Sequence, residues 1–99
     1  MEGRRALMVV GTSPTETDLG WQLGLLDRAA GKGVLLMQDG VLFAIREHVH
    51  LLNREGLRLY ALRDSLEARG LSDRVAPGVE VVDYARAIHL MMADHDVIM

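Results

Sequence analysis

Apolar residues in this chain fall into short runs that stop abruptly at charged residues or glycine. Ala6 to Val10, Val34 to Met37, Leu57 to Leu62 and Val79 to Val82 are the clearest runs. Runs of this length, bounded by turn residues, are the mark of strands buried on both faces of a parallel sheet. Two of them lead into informative ends, VLLMQDG at Val34 to Gly40 and LRLYALRDSLEARG at Leu57 to Gly70.

Helical spacing fills the intervals. Gly11-Thr12 turns the chain after the first run, and Ser13-Pro14-Thr15-Glu16 has the form of a helix start: a cap, a proline at the first position and a capping-box glutamate. Leu19, Leu23, Leu26 and Ala30 follow on one face, with Trp21 and Leu25 on a neighbouring face. Gly31 and Gly33 are expected to end this helix. Gly20 and Gly24 sit inside it, where close approach of another backbone would explain them. Val41 to Ile45 and His48 to Arg54 suggest a second helical stretch, closed by Glu55-Gly56. Asp64 to Arg69 reads as a short helix closed by Gly70, followed by a loop from Leu71 to Gly78. Asp83 is placed to cap a last helix from Tyr84 to about Asp94, with Ala87, Ile88, Met91 and Met92 near one face. Val97-Ile98-Met99 is an apolar tail.

Strand and helix alternation of this kind predicts an α/β fold: a small flavodoxin-like parallel sheet of about four strands with helices on both faces. The simplest strand order is 2-1-3-4. Residues 1–99 are expected to form one domain. Ligands and partners of such sheets meet the carboxyl ends of the strands. Here those ends carry Asp39-Gly40, Arg63-Asp64 and Asp83-Tyr84.

Composition narrows the chemistry. The chain is 49% hydrophobic, enough for a core without metals or disulfides, and its formal net charge is −3, which argues against a nucleic-acid surface. No run approaches the roughly 20 apolar residues that span a membrane. The apolar run after Met1-Glu2-Gly3-Arg4-Arg5 is too short for a signal-peptide core, so a cytoplasmic location is the expectation. There is no cysteine. That removes disulfides, thiolate metal sites and any thiol chemistry on this chain.

The remaining motifs are weaker. The loop Gly11-Thr12-Ser13-Pro14 opens a helix but contains neither GxGxxG nor GxxxxGK[ST], so it reads as a structural cap. Asp39 could serve as a general base or partner contact; its plainer role is to turn the chain and cap the next helix. His48 and His50 are two apart and do not share a helix face. His89 and His95 have no evident third ligand, and His89 is expected to pack or hydrogen-bond beside the last helix. Arg63 to Arg69 is a solvated face or a docking surface. No metal or cofactor is expected.

Taken in order, these elements resemble the DsrH/TusB family of sulfur-relay complex subunits. The resemblance is carried by Ser13-Pro14, then Val34 to Val41, Leu59-Tyr60-Ala61-Leu62, Leu66 to Leu71, Val82-Asp83-Tyr84 and the late His95. No single piece is specific, but the ordered set at this length is, although the family's frequent Trp-containing tail is missing here. The resemblance implies a flavodoxin-like α/β domain assembled with homologous DsrE/TusD-like and DsrF/TusC-like subunits. Such complexes pass persulfide sulfur between carrier proteins, toward 2-thiouridine in tRNA or in dissimilatory sulfur oxidation.

The principal sulfur-carrying cysteine lies on the DsrE/TusD-type partner. Some members also carry one on the first helix, where this chain reads Trp21-Gln22-Leu23-Gly24-Leu25. The expectation is therefore a non-catalytic subunit of a hetero-oligomer, with no direct nucleic-acid contact and no membrane. Asp39, Gly40, Asp64, Asp83 and Tyr84 are its candidate strand-end or partner contacts. Leu25, Phe43, Met91, Met92 and the tail are candidates for burial between subunits. The alternatives are a homo-oligomer binding a small ligand at the strand ends, and an enzyme pairing Asp39 with a histidine.

Overall fold

The computed structural model describes residues 3–16, 18–52 and 54–99. Met1 and Glu2, in the charged amino-terminal segment, Thr17, and Asn53, inside the expected second helical stretch, lie outside the described residues. The elements in order are β1 (Arg5–Val10), α1 (Gly20–Leu26), β2 (Gly31–Leu36), two 3₁₀ segments (Gln38–Ala44 and Val49–Leu52), β3 (Leu57–Leu62), α2 (Arg63–Ala68), a 3₁₀ turn (Ser72–Arg74), β4 (Val79–Val82), α3 (Tyr84–Met92) and β5 (Val97–Ile98).

All pairings between these strands are parallel. The α/β class and the helices on both faces are as expected, but the strand order is 4-3-2-1-5 rather than 2-1-3-4. The chain steps from β1 to β4 in one direction. Right-handed crossovers therefore place α1, the 3₁₀ segments and α2 on the same face. Only the last crossover reverses, and it carries α3 to the other face. The reversal occurs because Val97-Ile98, expected to be a loose tail, pairs with Ala6-Leu7 as a fifth strand beside β1.

Side-chain alternation divides the core accordingly. Ala6, Met8, Val10, Val34, Leu36 and Ala61 point to the α1 side, where Leu23, Leu26, Phe43, Leu52 and Leu66 cover them. Leu7, Leu35, Tyr60, Leu62 and Val82 point to the α3 side, covered by Ala87 and Leu90. The α1 side is the larger core, since three crossovers pack there and only one packs on the other.

Several local expectations change. Ser13 does form its capping pair, donating from Oγ to Glu16 Oε1 at 3.0 Å, and Glu16 N–H bonds the Ser13 carbonyl. The chain makes only a turn there, and the helix begins at Gly20, whose N–H donates to Asp18 Oδ1 at 2.9 Å. Gly31 and Gly33 do not end α1; they begin β2. No other backbone approaches Gly20 or Gly24, so close packing does not account for either. Asp39 does not cap the following 3₁₀ segment, which has Met37 at its N-cap and no side-chain cap. Asp83 does cap α3, accepting from Arg86 N–H at 2.8 Å.

Candidate functional site

The carboxyl ends of β2 and β3 are tied together by side chains. Gln38 follows β2 in a left-handed conformation (φ 50°), and its N–H donates to Ser65 Oγ of α2 at 2.9 Å. Arg69, just after α2, donates from Nε to Asp39 Oδ1 at 3.0 Å and from Nη1 to the Ser65 carbonyl at 3.2 Å. Ser65 is itself buried. The start of the first 3₁₀ segment is thus clamped onto α2.

Gly40 closes this end of the sheet. A Cβ there would lie 2.0 Å from the Val10 carbonyl oxygen and 3.3 Å from Gly11 N. The chain itself thus packs across the end of β1 on the side toward β2, while an opening bordered by Val10, Gly11, Gln22 and Met99 remains on the other side of β1. Gln38-Asp39-Gly40 forms a packed turn. Asp39 is bonded to Arg69, not to a histidine.

The other predicted residues separate. Asp64 is exposed in the first turn of α2, where a carboxylate suits the helix dipole. Asp83 is engaged as the α3 cap, and Tyr84 is 56% exposed beside it. Asp39, Ser65 and Arg69 form one bonded group; Asp83 and Tyr84 stand apart from it at the end of β4.

The surface of α3 differs from expectation. Its buried residues are Ala87 and Leu90, while Tyr84, Ile88 and Met92 are exposed, Ile88 at 54% and Met92 at 81%. Their four-residue spacing places them in one line along the helix. On α1, Trp21 (70% exposed) and Leu25 repeat that spacing on the opposite face of the sheet. Of the residues expected between subunits, Leu25 and Met92 are exposed and Met91 is half-buried. Phe43 is buried in the core, and Val97 and Met99 pack against it.

Past α3, charged groups gather. Arg86 Nη1 donates to Asp94 Oδ2 at 2.9 Å, its Nε lies 3.8 Å from Glu80, and His89 Nε2 lies 3.2 Å from Asp94 Oδ1. Partial desolvation is the largest single influence on the Asp94 carboxyl and pushes its pKa up. The Arg86 hydrogen bond and the charges of His89, Arg86 and Arg5 together outweigh it, and hold the group below the ordinary aspartate value.

A five-stranded, all-parallel sheet with helices on both faces and exposed apolar residues on α1 and α3 defines a small α/β domain. The same fold occurs in the ychN protein from E. coli, with a TM-score of 0.77 at 14% identity over 97% of each chain. Protein Tm0979 from Thermotoga maritima matches with a TM-score of 0.61 at 26% identity, over 87% of this chain and 90% of that one. The family model described as DsrH like protein matches residues 12–97, and the chain belongs to the DsrH family. Among its relatives, Protein TusB of Photorhabdus laumondii is 41% identical over 91 residues, covering 90% of this chain and 94% of the relative. Protein TusB of Erwinia tasmaniensis is 44% identical over 81 residues, covering 80% and 83%.

Proposed function

We propose that this chain is a cysteine-free structural subunit of a sulfur-relay complex of the TusBCD/DsrEFH type. Its neighbours are DsrE/TusD-like and DsrF/TusC-like chains, and they hold the sulfur. The observation that carries the subunit role is the pair of exposed apolar surfaces on opposite faces of the sheet, Trp21 with Leu25 and Tyr84 with Ile88 and Met92. Exposed apolar side chains in register on a helix are what a partner covers. Two such surfaces let one subunit touch two neighbours.

The division of labour follows from sulfur chemistry. A relay step needs a thiolate to attack the outer sulfur of a persulfide and carry it onward. This chain has no cysteine, so it can hold no persulfide sulfur. It supports the reaction by ordering the chains that do. The TusB relatives favour the branch that ends in tRNA 2-thiouridine over sulfur oxidation. Within the assembly, Asp64 and Tyr84 make direct contacts, while Asp39, Gly40 and Asp83 shape the surface around them.

Co-expression with cysteine-bearing DsrE-like and DsrF-like chains from the same genome, followed by native mass spectrometry, tests the reading. The expected species contains all three chains in equal copy number. Recovery of this chain alone, in the presence of folded partners, would overturn it.

A further inference from the structure

An opening that the partner reading leaves unused lies at the amino end of the sheet, on the α3 side. It is a cleft of about 430 Å³ bordered by Arg5, Arg58, Tyr60, Arg86, His95 and the Asp94 carboxylate, among others. Its floor is β2, where glycine at positions 31 and 33 makes room for neighbouring side chains: the Arg5 stem lies over Gly31, and Leu7, Tyr60 and His95 close over Gly33. Arg5 of β1 is in register with Gly31, and Arg58 of β3 with Gly33. The two arginines wall a trough, roughly 10 Å apart across the sheet and about 7 Å offset along it, so about 12 Å from Cα to Cα. Two extended guanidinium side chains can close over that distance on one small anion.

The charges are poorly matched within the chain. Arg86 is engaged by Asp94 and Glu80. The Arg5 guanidinium makes no hydrogen bond among the described residues, and Arg58 has neither a hydrogen bond nor an ion pair among them, although both border a cleft. The carboxylates nearby are Asp94 and Glu80, both facing Arg86, and Asp96, which accepts from the Arg5 backbone N–H at 3.0 Å. A chain with a net charge of −3 thus gathers Arg5, Arg58 and Arg86 around one cleft: the Asp94 carboxylate there feels Arg86 and Arg5, and Arg58 has no partner among the described residues.

Tyr60 adds a second, independent sign. It is 4% exposed, and its hydroxyl bonds no described residue, yet it is not among the fully enclosed unpaired polar atoms. The surface it retains borders the cleft. A buried phenol normally finds a partner. Here the opening leaves that place for a ligand acceptor. His95 completes the wall: its Nδ1–H donates to the Leu90 carbonyl at 2.8 Å, which turns Nε2 toward the floor, 3.2 Å from where a Gly33 Cβ would stand.

We propose that this trough at the amino end of the sheet is a binding site for a dianionic tetrahedral oxyanion of the sulfate or phosphate class, gripped by Arg5 and Arg58 and bonded by the Tyr60 hydroxyl. Arginine forks suit such oxygens in pairs. The site is at the end of the sheet opposite the one where parallel α/β folds usually bind ligands.

Isothermal titration of the full chain with sodium sulfate and sodium phosphate at low ionic strength tests this, with ribose 5-phosphate as a second arm. Saturable binding of an inorganic anion is expected. Tighter binding of the sugar phosphate identifies the oxyanion as a head group, and equal binding identifies the free ion. R58Q is expected to weaken binding by about tenfold or more, the loss of one charge-assisted contact. Y60F is expected to weaken it less. R28Q, a change to an exposed arginine that does not border the cleft, controls for general charge. A flat titration for every anion, or equal loss in R28Q and R58Q, overturns the proposal.

Discussion

At the scale of single residues, two positions concentrate the constraints. Gly40 is the point where the turn after β2 crosses the end of β1, and its missing side chain is replaced by the Val10 carbonyl. Backbone on both sides cannot yield as a flexible side chain can. Gly40→Ala is therefore expected to destabilise the chain by about 2–3 kcal/mol, the upper range for overpacking. Urea denaturation of the isolated protein reads this directly, and an unchanged midpoint would contradict the close approach. Asp94 acts through pH. Its lowered pKa means that the folded state favours the carboxylate, so its contribution is present above the unfolded aspartate value near pH 3.9 and is lost as pH falls through the lower folded value. Stability measured against pH should fall more gently on the acid side in D94N than in the parent. The cleft residues were hard to read from sequence for a related reason. Arg58 and Tyr60 alternate in LRLYAL, a pattern that signals one polar-lined sheet face, but nothing local says that β2 offers glycine between them and Arg5.

At the scale of elements, the chain is legible where local chemistry decides and opaque where distant pairing does. Asp83-Tyr84 reads correctly as a cap and helix start because the cap needs only the Arg86 N–H three residues on. Replacing Asp83 by Ala should cost about 1 kcal/mol, typical for losing an N-cap, visible as a lower thermal midpoint with α3 still formed. Ser13 to Glu16 shows the opposite outcome. Its capping bonds form, yet the α-helix starts only at Gly20, since a capping box fixes a turn and does not guarantee that the turn propagates. Gly31 and Gly33 have the form of a helix stop because glycine commonly follows a helix, but pairing with Arg5 and Leu7 on one side and Arg58 on the other draws them into β2. The tail is the clearest case. Val97-Ile98 is too short to announce itself as a strand, and it becomes one only through β1: Asp96 N–H bonds the Arg5 carbonyl at 2.8 Å, and Met99 N–H bonds the Leu7 carbonyl at 2.9 Å. The expected order 2-1-3-4 fails for a separate reason, since β3 pairs with β2 and not with β1, a choice between distant partners that spacing along the chain does not record.

At the scale of the whole molecule, apolar contact surfaces and the cationic trough occupy different places and should fail independently. The line Tyr84, Ile88, Met92 runs along the outside of α3, away from the buried Ala87 and Leu90. The trough lies at the amino end of the strands, walled by Arg5 and Arg58. A double change of Ile88 and Met92 to Ser removes exposed apolar area without touching the core, so the isolated chain's stability should shift by no more than about 0.5 kcal/mol. If a partner covers α3, the same change should abolish co-purification with DsrE-like and DsrF-like chains, because burying that apolar area is the main gain on assembly. R58Q should leave co-purification intact while weakening oxyanion binding. Running both variants through both measurements gives four results. The independent pattern supports two separate surfaces. Loss of assembly in R58Q would instead mean that the trough lies inside the interface and that the acceptor for Arg58 and Tyr60 is a carboxylate of the neighbouring subunit.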